Sequence, residues 1–179
     1  SAGESSISHP TQGLLDLLTI RQEKGAFEDL KVIIMGDISH SRVARSLAEG
    51  LEIMNTRNIT LISPEEFKPE MGFFPSASYE EDPNKGLSDA DVIVTLRVQK
   101  ERIESSENNL SLEQYSDEYQ LCEDKLELCK PDAIVMHPGP INRGIEISDR
   151  VADGKQSVIL KQVENGVAMR MAVLTQILN

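Results

Sequence analysis

Three short runs place groups of complementary chemistry along the chain: His9-Pro10-Thr11-Gln12, Arg97-Val98-Gln99-Lys100-Glu101-Arg102 and His137-Pro138-Gly139-Pro140. The first offers an imidazole and an amide. The second offers guanidinium donors with an amide between them, and the third a turn with exposed peptide carbonyls. Gly36-Asp37-Ile38-Ser39-His40-Ser41-Arg42 adds a further guanidinium. An Arg fork pairs with a carboxylate through two parallel hydrogen bonds, which Lys cannot reproduce. On an extended segment Arg97 and Gln99 alternate to one side. In the proline turn the two rings remove amide donors, and Gly139 opens backbone conformations closed to other residues. Its carbonyls are left free to accept from an N–H donor. Such a set suits a small, doubly negative molecule that is held still rather than transformed by a cofactor.

The elements that position these groups follow from apolar periodicity. Leu14, Leu15, Leu17, Leu18 and Ile20 predict a helix running to a stop at Gly25, with His9 and Gln12 at its start behind Pro10. Lys31 to Met35, Ile59 to Ile62, Asp91 to Leu96 and Asp132 to Met136 are short β-branched runs of the kind buried in a parallel sheet. Val43 to Met54 reads as an amphipathic helix, Ser111 to Cys129 as two short helices, and Ser157 to Leu178 as a last helix. Ser63 to Lys85 reads mostly as loop with weak helical pieces. Alternating strands and helices predict an α/β three-layer sandwich with a mainly parallel, Rossmann-like sheet of four to five strands. Arg42, Arg97 and Pro138 to Pro140 all fall just past the C-terminal ends of predicted strands, where open α/β sheets form their ligand crevice. A dinucleotide fingerprint is absent, because Gly36 stands without the partner glycines that Gly-x-Gly-x-x-Gly requires.

At 179 residues the chain suffices for one domain with a real core. A formal net charge of −12 argues against nucleic acid or an anionic membrane surface as a partner. No apolar run approaches the ~20 residues of a membrane span, and no signal-peptide pattern opens the sequence, so a cytoplasmic location is expected. Cys122 and Cys129 would lie about 10.5 Å apart along a helix, beyond disulfide reach. Without further His or Cys at ligand spacing they read as buried or incidental thiols, and no metal site is expected.

In their order the quoted segments resemble the aspartate-binding domain of the aspartate carbamoyltransferase catalytic chain, over nearly the whole length. The related ornithine-using enzymes, by resemblance, carry a Cys-containing turn in place of Pro138-Gly139-Pro140 and lack the Arg97-Val98-Gln99 run. The resemblance implies transfer of a carbamoyl group from carbamoyl phosphate to the amine of L-aspartate, without cofactor. It implies that Arg42, Arg97 and Gln99 hold aspartate, and that His9 polarises the carbamoyl carbonyl. Gln12, Gly139 and Pro140 would contact the carbamoyl phosphate. Lys100, Glu101 and Arg102 would belong to a mobile loop, although they read equally well as a solvated charge run. His137 is expected to orient the turn, and His40 to be peripheral. The family's phosphate-gripping Ser-x-Arg-Thr-Arg segment does not occur here. The chain is therefore expected to be a domain, a processed fragment or one piece of a split enzyme. Its partner would be an N-terminal carbamoyl-phosphate domain in cis or trans, and the complete chain a homotrimer. A non-catalytic scaffold or binding subunit is the alternative from another class.

Overall fold

The computed structural model describes residues 7–98 and 110–178. Its centre is an all-parallel five-stranded sheet in the order β3-β2-β1-β4-β5. The strands are β1 (Lys31–Met35), β2 (Asn58–Ile62), β3 (Ala77–Glu80), β4 (Val92–Thr95) and β5 (Ile134–Met136). Successive strand side chains point to opposite faces, and both faces here are covered. Ile33, Met35, Ile93 and Val135 enter one core with Leu87, Tyr115, Tyr119 and Val151. Val32, Ile34, Val92, Val94, Ile134 and Met136 enter the other with Ile20, Leu47 and Leu51. That double burial is why these strands read as unbroken apolar runs.

Helices α1 (Pro10–Lys24) and α2 (Arg42–Ile53) cover the second face. α3 (Pro83–Leu87), α4 (Leu112–Tyr119), α5 (Glu123–Leu126) and α6 (Asp149–Ala152) lie on the first. The long α7 (Ile159–Leu178) packs against α1. Local chemistry sets the ends. Pro10 occupies the first turn of α1 and Gly25, at φ 81°, closes it. Ser41 Oγ accepts from Ala44 N at 3.1 Å to start α2, and Ser111 and Gln114 form a reciprocal capping box on α4.

The three-layer parallel sandwich is the fold expected from the sequence, and it corrects one local reading. The Ser63 to Lys85 stretch has the expected helical pieces, two single turns of 3₁₀-helix and the start of α3, but it also contains the strand β3. β3, Ala-Ser-Tyr-Glu, is an edge strand paired only to β2. Its residues are half-buried or exposed, so no apolar run marks it. Cys122 and Cys129 are free thiols. Cys129 is buried, and burial pushes its pKa up to about 11.

The strand order reverses between β1 and β4, and the backbone just beyond them is tightly fitted. Gly36 has φ 129°, and a Cβ there would stand 3.0 Å from the Leu96 carbonyl oxygen. We predict that Gly36→Ala destabilises the fold by about 1–3 kcal/mol in denaturant unfolding, the range for a strained backbone. Gly72→Ala, where a Cβ meets nothing within 4 Å, should change stability by less than about 0.5 kcal/mol. Equal effects would contradict the close approach.

Candidate functional site

A crevice of about 460 Å³ opens at the C-terminal edge of the sheet, lined by residues that follow β1, β4 and β5 and by the start of α1. Among its lining are His9, Gln12, Arg42, Arg97, Pro138 and Gly139. Four sequence segments separated by tens of residues thus meet at the strand-order reversal, where parallel sheets bind ligands.

Each group is held by its own element. His9 is the N-cap residue of α1, and its backbone N–H donates to Ser46 Oγ on α2 at 2.8 Å. Burial, followed by the charges of Arg42 and Arg170, lowers the His9 pKa below its ordinary value. The ring is therefore neutral near pH 7, with one nitrogen a donor and the other an acceptor. Arg42 opens α2, so its charge adds to the positive end of the helix dipole. Arg97 lies two residues past β4 and is exposed. The loop between β1 and α2 is braced by Arg45, whose Nη2 donates to Ser39 O at 2.9 Å and whose guanidinium lies 5.0 Å over the Phe73 ring.

The proline turn is fixed by hydrogen bonds. Gly139 N donates to His137 Nδ1 at 2.8 Å, so Nδ1 is the acceptor and Nε2 carries the proton. Nε2 then donates to Glu146 Oε1 at 3.2 Å, with His137 and Glu146 both fully enclosed. Gly139 has φ 70°, a conformation that glycine reaches without strain, and the Gly139–Pro140 peptide is cis. Asn142 ties the turn to the Arg97 segment, since its Nδ2 donates to Val98 O at 2.8 Å.

Of the residues singled out in the sequence, His9, Gln12, Arg42, Arg97 and Gly139 are brought together in the crevice. Pro140 is exposed and lies outside the crevice lining, which takes Pro138 and Gly139 instead. Gln99, with Lys100, Glu101 and Arg102, lies outside the described residues. His40, expected at the periphery, lines the crevice with Asp37, and its Nδ1 sits 2.7 Å from Asp37 Oδ1. It reaches inward because Asp37 is buried in the turn between β1 and α2.

Sequence reading missed the polar residues beneath the crevice. Gln12 Nε2 donates to Asp16 Oδ1 at 2.9 Å, and Gln162 Nε2 donates to the same oxygen at 2.6 Å. Gln162 Oε1 in turn accepts from His137 N at 3.0 Å. The available signal was Asp16 itself, one helical turn after Gln12 and bracketed by leucines. No cluster of three or more potential metal ligands occurs among the described residues. No helix there is long and apolar enough to cross a membrane.

The fold and crevice define a class: a parallel α/β domain that gathers cations, an imidazole and a proline turn in one crevice at its topological switch point. The chain belongs to the Asp/Orn-binding domain family of the aspartate/ornithine carbamoyltransferases, whose model matches residues 28–177. Relatives named aspartate carbamoyltransferase catalytic subunit are 48% identical over 180 residues in Ruthia magnifica and 49% identical over 179 residues in Xanthomonas oryzae. These matches cover 100% and 99% of this chain, and so include His9 and Gln12, which precede the family match. The chain spans 56% of the length of each relative. Among solved structures, an ornithine carbamoyltransferase from Pyrococcus furiosus superposes with a TM-score of 0.83 at 30% identity, over 95% of this chain and 56% of its own. Aspartate transcarbamoylase from Trypanosoma cruzi, in complex with carbamoyl aspartate and phosphate, gives 0.83 at 27% identity, over 97% of this chain and 57% of its own.

Burial raises the Asp16 pKa from 3.8 to about 7, against the smaller opposing effects of Gln162, Gln12 and the Arg170 charge. Folding thus favours the neutral acid. The stability this contributes is fully present below pH 3.8, declines as pH rises towards 7, and is gone above it. Asp16→Asn removes that titration. Its melting temperature relative to the parent should climb steadily between pH 4 and pH 7.5 and then level off. A gap independent of pH would show that Asp16 does not titrate as its burial requires.

Proposed function

We propose that this chain is the aspartate-binding half of an aspartate carbamoyltransferase, acting in pyrimidine biosynthesis. The observation that carries the reading is the convergence of Arg42, Arg97, His9, Gln12 and the Pro138-Gly139 turn on one crevice. Aspartate presents two carboxylates, and Arg42 at the start of α2 and Arg97 beyond β4 supply two guanidinium groups to receive them. Gln99 assists Arg97. The amine so oriented attacks the carbamoyl carbon, a C–N bond forms, the C–O bond to phosphate breaks, and the amine loses a proton. Negative charge gathers on the carbonyl oxygen, where the neutral His9 ring offers an N–H. Proline-turn carbonyls and Gln12 accept from the nitrogen side of the reactants. Catalysis on this reading is alignment of two reactants with stabilisation of the oxyanion.

The choice of aspartate over ornithine is supported by the two cations in the crevice and by the names of the relatives at 48% and 49% identity. Ornithine carries an extra ammonium, which Arg97 would repel. A complementary half is supported by the relatives' greater length and by α7. Leu160, Val163, Val167, Met171, Leu174 and Leu178 form one apolar stripe along this helix, and all are exposed. A carbamoyl-phosphate domain, joined in cis or binding in trans, would cover it and supply the phosphate grip. The complete chain would assemble as a homotrimer in the cytoplasm.

The 179-residue chain alone should show little carbamoyl transfer, and adding the complementary half should restore it. In the restored enzyme Arg97→Lys keeps the charge but loses the fork. Loss of one charge-assisted pair is worth roughly 1.5–3 kcal/mol, or roughly tenfold to a hundredfold in rate or binding. That loss should fall on aspartate and spare carbamoyl phosphate in steady-state titrations. Arg102→Lys is the comparison and should change neither by more than about twofold, or about 0.5 kcal/mol. Parental behaviour of Arg97→Lys towards aspartate would remove Arg97 from the site.

A further inference from the structure

Beneath the crevice runs a chain of hydrogen bonds with a single direction. His137 N donates to Gln162 Oε1 at 3.0 Å, and Gln162 Nε2 donates to Asp16 Oδ1 at 2.6 Å. From the other side, Gln12 Nε2 donates to that same oxygen at 2.9 Å. Asp16 is wholly buried, and its second oxygen, Oδ2, has no partner. An amide side chain has a donor end and an acceptor end, and its neighbours decide which way each points. A carboxylate oxygen accepts only. Two N–H donors already point at Oδ1 and none at Oδ2, so a proton on Asp16 is accommodated on Oδ2 and Oδ1 accepts in either protonation state. Both glutamines must therefore turn their NH₂ groups towards Asp16 and their carbonyl oxygens away. For Gln162 the oxygen then meets the His137 peptide N–H, at the start of the proline turn. For Gln12, which lines the crevice, the oxygen is turned away from Asp16.

We propose that Asp16 is a positioning residue that sets the polarity of the carbamoyl pocket, turning the Gln12 carbonyl into the crevice and, through Gln162, fixing the proline turn, so that the pocket accepts hydrogen bonds from the carbamoyl NH₂. This rests on the reading of the chain as half of a carbamoyltransferase and deepens it. The pocket selects an acyl phosphate bearing NH₂ over one bearing a methyl group of similar size. A carbamoyl group can donate to the Gln12 oxygen and to a turn carbonyl, whereas an acetyl group leaves both desolvated and unpaired.

The test compares carbamoyl phosphate with acetyl phosphate as ligands of the complete enzyme, by calorimetric titration without aspartate. The parent should bind carbamoyl phosphate at least about tenfold more tightly, the equivalent of one net hydrogen bond. Asp16→Leu removes the shared acceptor at similar volume, frees both amides to turn over, and should reduce that ratio at least about fivefold. The KM for aspartate should move less than about twofold. Asp16→Asn, which can keep Oδ1 as an acceptor, should retain the ratio within about twofold. A merely structural role for Asp16 would weaken both anions alike, so an unchanged ratio in Asp16→Leu overturns the proposal. If that variant does not fold, Gln162→Met tests the other end: it releases the His137 amide, and the ratio must fall again, an unchanged ratio having the same meaning. A parent that binds neither phosphate defeats the carbamoyltransferase reading and this proposal with it. A parent that binds both equally defeats the polarity proposal alone.

Discussion

Leu96 N donates to Met35 O at 2.8 Å, the last rung of the ladder between the two central strands, and the site depends on what happens one residue later. Beyond that rung the two chains part, one towards α2 and the other towards the Arg97 segment. The divergence is what opens a crevice in a sheet whose strand order reverses there. It requires the two backbones to pass closely, and Gly36 allows this. A side chain at that position would press on the Leu96 carbonyl. Arg42 and Arg97 leave from opposite sides of this split, so their shared access to one crevice follows from the pairing of β1 with β4.

A second constraint is the register of α1 against α7. The buried residues of α7 are Ile159, Gln162, Asn165 and Gly166, while its apolar stripe faces outward. Hydrophobic burial alone would turn this helix the other way. Gln162 bonds Asp16, and Asn165 Nδ2 donates to both Thr19 Oγ1 and Gln22 Oε1 at 2.9 Å. Gln162 and Asn165 are spaced three apart, as are Asp16 and Thr19, so the two helices lock at one register. Shifting either would leave buried amides unpaired, at roughly 1–3 kcal/mol for each group. Buried polar pairs of this kind serve specificity more than gross stability. Here they also connect the start of α1, with His9 and Gln12, to the turn after β5.

Wherever apolar burial was the cause, the sequence was legible. β1 spans the same five residues that its apolar run marks, and no boundary of β2 or β4 differs from expectation by more than one residue. The segments meeting at the strand ends were legible for a related reason, since a parallel sheet must put them on one edge. What stayed hidden had no apolar signature. β3 pairs on one side only, and α6 is a single turn capped by Ser148. Asp16, Glu146 and Gln162 are polar residues whose partners come from distant parts of the chain. Glu146 stands alone between Ile145 and Ile147, and nothing nearby announces that it accepts from His137. Exposure misled in the opposite direction for His40, where a polar residue in a loop looked peripheral and instead lines the crevice.

The central claim is that this crevice reads two carboxylates with two guanidinium groups, and the choice of amine tests it most directly. Initial rates of carbamoyl transfer by the complete enzyme should be compared for L-aspartate and L-ornithine at equal, subsaturating concentrations. The account predicts that aspartate is favoured by at least about a hundredfold, since ornithine forfeits one charge-assisted pair and brings its ammonium against Arg97. Comparable rates, or a preference for ornithine, would contradict it.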